Sequence, residues 1–431
     1  RLTRNNSQLT CNSGGISVSS DPNYSYYYGS DAANIIIQGS EISGNQGSGI
    51  NRAADVELID SVVENNEGKG IDFTKAAIVT DSRVANNQGD GINNDVNVSP
   101  FQFRPIEGSL TITNSIVTGN SGSGIDVSGD VTVTRTQISN NQKDGVNNSS
   151  GYGARYYSGT LSITDSTIES NGGDGVASAS DATIINSQII NNAKAGVTNS
   201  DYDGIGQLAI NNSTVTGNGQ SGISALSQYG FGIQIRNSTV SDNTGSGASV
   251  TGSRYGGSIS VQSSNISNNS GAGVVSAGGR YASVSATDSQ IVGNGDLGFQ
   301  GDTATAEGST IADNGGVGLT FTANATIRNS TLSNNIGGGV FRKARYADYG
   351  GTSLVVSNST ITSNGSQNNS VGGIENINTT PYGHTTKIEN STITGNIGTS
   401  IGGLKIETNL SDSYGVEDAI GSPGTQVVVS I

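Results

Sequence analysis

The chain has few of the residues that stabilise a fold by chemistry rather than packing. A single cysteine, Cys11, in 431 residues excludes an internal disulfide framework. There is no methionine and the chain begins at Arg1, which suits a processed or partly observed chain whose export signal has been removed or left out. No stretch is apolar for long enough to cross a membrane as a helix, and no helical periodicity is present anywhere. Five prolines are too few to mark a linker, so nothing divides the chain into the two or three domains that its length would suggest. Charged residues make up only 13%, with a formal net charge of −15 and a pI near 4.4. That balance argues against a phosphate-binding surface, and so against nucleic acid as a partner.

What is abundant is glycine, 64 residues, together with asparagine, serine and threonine. With 32% hydrophobic residues, composition alone would lean toward disorder. Periodicity decides the other way. The stretch Leu110–Ile125 alternates apolar and polar, turns at Asn114-Ser115, places Val117 inward, turns again at Gly119-Asn120 and restarts with Ile125 after a glycine pair. Read physically, it is three short strands joined by tight corners, each pointing one or two aliphatics to one side. Such a unit cannot bury its apolar face alone and has to stack on copies of itself.

The corner asparagine recurs from Asn12 to Asn396, with shortest spacings of 20 and 21 residues and longer ones up to 33. A serine sits five residues earlier in nearly every unit, with Thr136 the exception, and an aliphatic follows that serine by two. A further aliphatic opens the third strand: Ile50, Ile71, Ile92, Ile125, Val146, Val176, Val197 and Ile223. These registers predict an all-β single parallel β-helix, right-handed by the chirality of crossovers, with about sixteen rungs over 1–406. A separate C-terminal segment over 407–431 ends in an apolar strand. The corner asparagines, among them Asn66, Asn87, Asn120, Asn141 and Asn192, are expected to form an inward ladder. They are expected to take the left-handed backbone that such a corner needs. The serine column should act similarly but more weakly.

Extra residues fall mainly at one corner, after the Gly-Ile strand and before the next alternating strand. All 15 tyrosines lie in these insertions or in the C-terminal segment. Tyr202, Tyr229, Tyr255 and Tyr281 come from four successive insertions, and Arg254 and Arg280 directly precede two of them. Exposed aromatics at rung spacing either stack on sugar rings or anchor a protein interface; the bland alternative is that they fold back on the helix wall.

The pattern Asn390–Asn396 followed by a Gly-Ser-Gly-Ile run such as Gly122–Ile125 resembles the right-handed parallel β-helix repeat of pectate-lyase-like proteins. It looks closest to repetitive secreted and surface proteins of bacteria. The resemblance covers essentially the whole chain and implies the fold and an extracellular or cell-surface location. It implies little about activity, because lyases, hydrolases, tailspikes and adhesins share that architecture. The clustered Asp pairs, His-Gly and Arg-x-Lys of hydrolases on this fold cannot be placed here. The single histidine, His384, reads as a loop residue. Asp90, Asp144 and Asp174 share one corner position and read as solvated turn acids rather than a metal site. The sequons at Asn237, Asn329, Asn358 and Asn390 fall out of the repeat.

The sequence therefore reads as an extracellular structural β-solenoid, a self-associating fibre, matrix or adhesin subunit. It is expected not to be an enzyme and to need no metal or cofactor. The apolar positions Leu2 and Leu9 at one end and Val427, Val428, Val429 and Ile431 at the other are expected to join subunits head to tail, the last strand being unpaired within its own chain. The alternative is a carbohydrate-active protein that binds or cleaves polysaccharide along the Tyr/Arg flank.

Overall fold

The computed structural model describes residues 2–5, 7–10, 15–17, 34–94, 108–149, 159–200, 206–227, 230–252, 255–278, 281–343, 352–369, 371–378, 384–408 and 426–430. Every regular element among them is a strand. The chain forms two compact units, Arg1–Gln220 and Ser221–Ile431.

In the first unit a typical rung runs Ser109–Thr113, Ile116–Thr118, Ile125–Asp126. Each strand pairs in parallel with its equivalent in the next rung: Leu110 with Val131, Val117 with Ile138, Ile125 with Val146. The alternation set by the sequence sends Leu110, Ile112, Val117 and Ile125 inward, where all are at most 1% exposed. Stacked on identical neighbours, each aliphatic is covered above and below, so few per rung suffice to form a core. The second unit repeats the arrangement from Thr239–Ser241 to Thr392–Thr394, with Ile266, Ile291, Ile311, Leu332 and Ile361 fully buried.

Both corners are held by side chains. At the second corner, the backbone N and the Nδ2 of Asn66 both donate to Oδ1 of Asn87, at 3.2 and 2.9 Å, while Nδ2 also reaches the Ile42 carbonyl at 3.3 Å. The same set continues through Asn120, Asn141, Asn171 and Asn192. In the second unit it runs from Asn243 to Asn396. All of these amides but the last, Asn396, are almost fully buried, and their donors and acceptors are matched rung to rung. At the first corner Ser115 Oγ accepts from the Ser82 backbone at 3.1 Å and donates to the Thr113 carbonyl at 2.8 Å.

The left-handed residues are not the ladder asparagines but the residues before them: Asn65 (φ 56°), Asn86 (53°), Asn140 (56°), Asn191 (55°). A second left-handed column precedes the serines, at Asp60, Asp81, Asn114, Arg135 and Asp165. The expectation that one asparagine both turns the chain and forms the ladder is corrected: turning and bonding fall to adjacent residues. The sequons at Asn237, Asn329, Asn358 and Asn390 are this left-handed column, with φ between 46° and 49°. A glycine column is fixed by space instead. A Cβ on Gly124 would sit 2.7 Å from the Gly145 carbonyl oxygen and 2.8 Å from Asn141 Nδ2.

The insertions do not enter at a corner proper. In four rungs without them the third strand runs unbroken into the next first strand: Ile50–Ile59, Ile71–Thr80, Phe299–Glu307 and Val317–Arg328. A register shift near Ala53 and another near Gly301 bend two of these strands. Insertions therefore split a strand at its bend. Where the strand is unbroken, Phe73 seals the interior; the equivalent position in the next rung is Asn94. Further on, Asn148 holds the backbone by donating to the carbonyls of Val127 and Gly129 at 2.8 and 2.7 Å.

Two further expectations change. His384 opens a strand, His384–Glu389, that pairs with Thr352–Ser357. Gln426–Ser430 is not unpaired: it lies in parallel register on Thr385–Glu389, with Val427, Val428 and Val429 opposite Thr386, Lys387 and Ile388. At the other end Leu2 pairs with Ile35 and Leu9 with Ile42.

Candidate functional site

The residue after each Gly-Ile or Gly-Val pair points away from the core, and in the first unit these residues form a row. Asp72, Asn93, Asp126 and Asn147 occupy the same register position in four successive rungs. Successive rungs are roughly 4.8 Å apart, so neighbouring side chains lie within hydrogen-bonding reach. A second row, two residues before each Gly-Ile aliphatic, carries Lys69, Asp90, Ser123, Asp144 and Asp174.

The two rows are bonded to one another. Lys69 Nζ donates to Asn93 Oδ1 at 2.6 Å and lies 3.4 Å from Asp72 Oδ1. Asn93 Nδ2 is 3.5 Å from Asp90 Oδ2, and Asn147 Nδ2 donates to Asp126 Oδ1 at 3.0 Å. The acids at the corner have backbone partners one rung on. Asp90 Oδ1 accepts from Ser123 N at 2.8 Å, Asp144 Oδ1 from Asp174 N at 2.7 Å, and Asp174 Oδ1 from Ala195 N at 3.0 Å. The reading of Asp90, Asp144 and Asp174 as merely solvated acids is therefore incomplete: each closes a corner.

Electrostatics single out Asp126. Burial, and then the charge of Asp90, push its carboxyl up to about 6 against the opposing pull of Lys69 and Lys143. Burial also raises Asp144, partly offset by its hydrogen bond from Asp174. A carboxyl that holds its proton near neutral pH, beside a second carboxylate, a lysine and two amides, has the parts for general acid–base work. Among the described residues no three His, Cys, Asp or Glu side chains are grouped to hold a metal ion.

The sequence carries one signal for this row: the position directly after the Gly-Ile or Gly-Val pair is Asp, Asn, Asp, Asn over four rungs. Of the tyrosines proposed to form a flank, the structure brings two together. Tyr255 and Tyr281, in consecutive rungs of the second unit, stack with ring centroids 6.4 Å apart and planes 12° from parallel. They are 47% and 73% exposed. Tyr202, Tyr229, Arg254, Arg280, Ile431 and Cys11 lie outside the described residues.

A family model described as the right-handed beta helix region matches residues 106–231 and 227–414, more than half of the chain. A comparison with curated proteins finds no match. Among solved structures, a periplasmic alginate epimerase is similar at 14% identity over 84% of this chain and 77% of its own, with a TM-score of 0.39. The A-modules of two Azotobacter vinelandii mannuronan C-5 epimerases are similar at 16% and 15% identity. The first covers 93% of this chain and 92% of its own, with a TM-score of 0.29; the second covers 92% and 91%, with 0.33. At these identities the likeness is one of fold. Against the expectation of a non-enzyme, all three of these structures are named as epimerases.

Proposed function

We propose that this chain, which belongs to the right-handed β-helix family, is a carbohydrate-active protein that cleaves polysaccharide at the Asp126 row and works outside the cytoplasm. The observation that carries the reading is Asp126 itself. It is a carboxyl lifted to about 6, bonded to Asn147 and under the charge of Asp90 in the neighbouring row, which also contains Lys69. Two carboxyl groups with opposed protonation states are what glycosidic hydrolysis requires. Protonated Asp126 gives its proton to the glycosidic oxygen as the C–O bond breaks. A water oxygen bonds to the anomeric carbon, and its proton passes to the Asp90 carboxylate. Asp90 Oδ1 is fixed by the Ser123 N–H, which leaves Oδ2 turned toward Asn93 as the accepting oxygen. Lys69, held by Asn93 and Asp72, supplies positive charge beside the row and keeps Asp126 from rising further.

The test is reducing-end release from a panel of polysaccharides by the parent chain and by Asp126→Asn. The amide keeps the shape and cannot donate a carboxylic proton, so turnover should fall by at least about a hundredfold. Turnover by Asp126→Asn equal to the parent would remove this reading.

A further inference from the structure

The polar row leaves the stacked tyrosines of the second unit without a role. Three observations bear on them. Both rings are well exposed, although burying an aromatic of this size is strongly favoured. Tyr281 has φ 70°, a backbone region that a bulky non-glycine residue rarely takes. The segments that carry the rings nest through glycine. A Cβ on Gly256 would lie 2.4 Å from Ala282 N, and one on Gly278 would lie 2.0 Å from the Gly252 carbonyl oxygen. The chain is thus bent into a disfavoured conformation to hold an aromatic outward beside a second one. Such a conformation at a bulky exposed aromatic, outside the turn columns of Asn and Asp, points to a role for the ring.

We propose that the Tyr255–Tyr281 pair is a glycan-binding platform that receives a pyranose ring of a polysaccharide by its C–H face. The proposal rests on reading the chain as carbohydrate-active, and it adds a binding site in a different unit from the acid–base row. The chemistry of the surroundings favours a sugar. Serines at 258 and 283 open the adjoining strands, and buried Asp302 in the rung after Tyr281 holds the backbone beside the ring, its Oδ2 accepting from Ala282 N at 3.2 Å. Thr322 Oγ1 then donates to Asp302 Oδ1 at 2.7 Å. Rings flanked by glycine backbone and small polar side chains offer a flat apolar face with hydrogen-bonding groups at its edge. A pyranose matches that combination, with C–H groups on one face and hydroxyls around its rim.

Retention on insoluble β-1,4-glucan and on immobilised polyuronate tests this, for the parent chain, Tyr255→Ala, Tyr281→Ala and Tyr281→Gly. The parent should be retained on at least one glycan. Raising NaCl from about 0.15 M to about 0.5 M should change that retention little, because ring stacking is not screened. Each tyrosine variant should lose at least about tenfold in affinity. Tyr281→Gly relieves the left-handed backbone, so it should melt no lower than the parent while still losing the glycan. Retention by the variants equal to the parent, absence of retention on both glycans, or a parent dimer that dissociates on substitution would each overturn the platform. A chain that binds through the tyrosines while Asp126→Asn keeps full turnover would sink the acid–base reading and leave the platform standing.

Discussion

Asn147 donates Nδ2–H to Oδ1 of Asp126 at 3.0 Å, and the two residues occupy the same register position one rung apart. An amide thus already sits where the next rung carries a carboxyl. Asn93 occupies the position on the other side of Asp126. The backbone here accepts Asn as readily as Asp, so the acid at 126 is not a requirement of the fold.

That makes Asp126→Asn a test of stability as well as of turnover. Raising the carboxyl from its ordinary 3.8 to about 6 means the folded chain holds a proton that the unfolded chain has released across that interval. Stability from this group is fully present below about pH 4 and is lost as pH rises to about 6, a change of about 3 kcal/mol at most. The amide variant has nothing to titrate. Urea unfolding from pH 4 to 7 should show the parent losing stability over this window relative to Asp126→Asn, with the variant the more stable at pH 7.

Lys69 lowers the Asp126 carboxyl. Lys69→Met removes that cation, so the window over which stability is lost should extend to higher pH, its lower edge near pH 4 unchanged. An unchanged window would mean the lysine is screened from Asp126.

The asparagine ladder depends on amide polarity and not on shape. Asn192 donates to Asn218 Oδ1 at 3.1 Å and to the Ile168 carbonyl at 3.3 Å, and its Oδ1 accepts from Asn171 Nδ2 at 3.0 Å. Asn192→Leu strands buried donors and acceptors on both neighbouring rungs and should cost on the order of 3 kcal/mol or more. Asn192→Asp nearly keeps the shape but turns an oxygen toward an oxygen and buries a charge. By urea unfolding at pH 7 it should be at least as damaging as the leucine.

Gly124 has no room for a methyl group, with three atoms of the next rung inside 3.0 Å of an added Cβ. Gly124→Ala should destabilise by about 1–3 kcal/mol through forced separation of the rungs. The same change at Gly403, where nothing lies within 4 Å, should be nearly neutral.

Much of the scaffold is legible in the sequence because each column is one residue type repeated at one register. Val117, Ile138 and Asn120 announce themselves by recurrence. Recurrence also hid the chemistry. Asp72, Asn93, Asp126 and Asn147 alternate between two residue types, so their column is weaker in the text than those of one repeated residue, and the register of the folded rungs makes them neighbours. The tyrosines stood out for the opposite reason, being confined to insertions. Their stacking depends on the tight glycine contacts between the segments that carry them, which spacing alone does not reveal. The division of the second corner between a left-handed residue and a bonding asparagine was likewise invisible, since Asn65 and Asn66 are the same residue type.

The central claim is that Asp126 is the proton donor of a polysaccharide-cleaving site, and the pH profile of kcat/KM tests it most directly. With the carboxyl at about 6, activity on a cleaved glycan should fall roughly tenfold per pH unit above that value. Any residual turnover of Asp126→Asn should show no such limb, because the amide has no carboxyl to titrate. A profile flat from pH 5 to 8, or an Asp126→Asn protein that cleaves the same glycan as fast as the parent, would contradict the account.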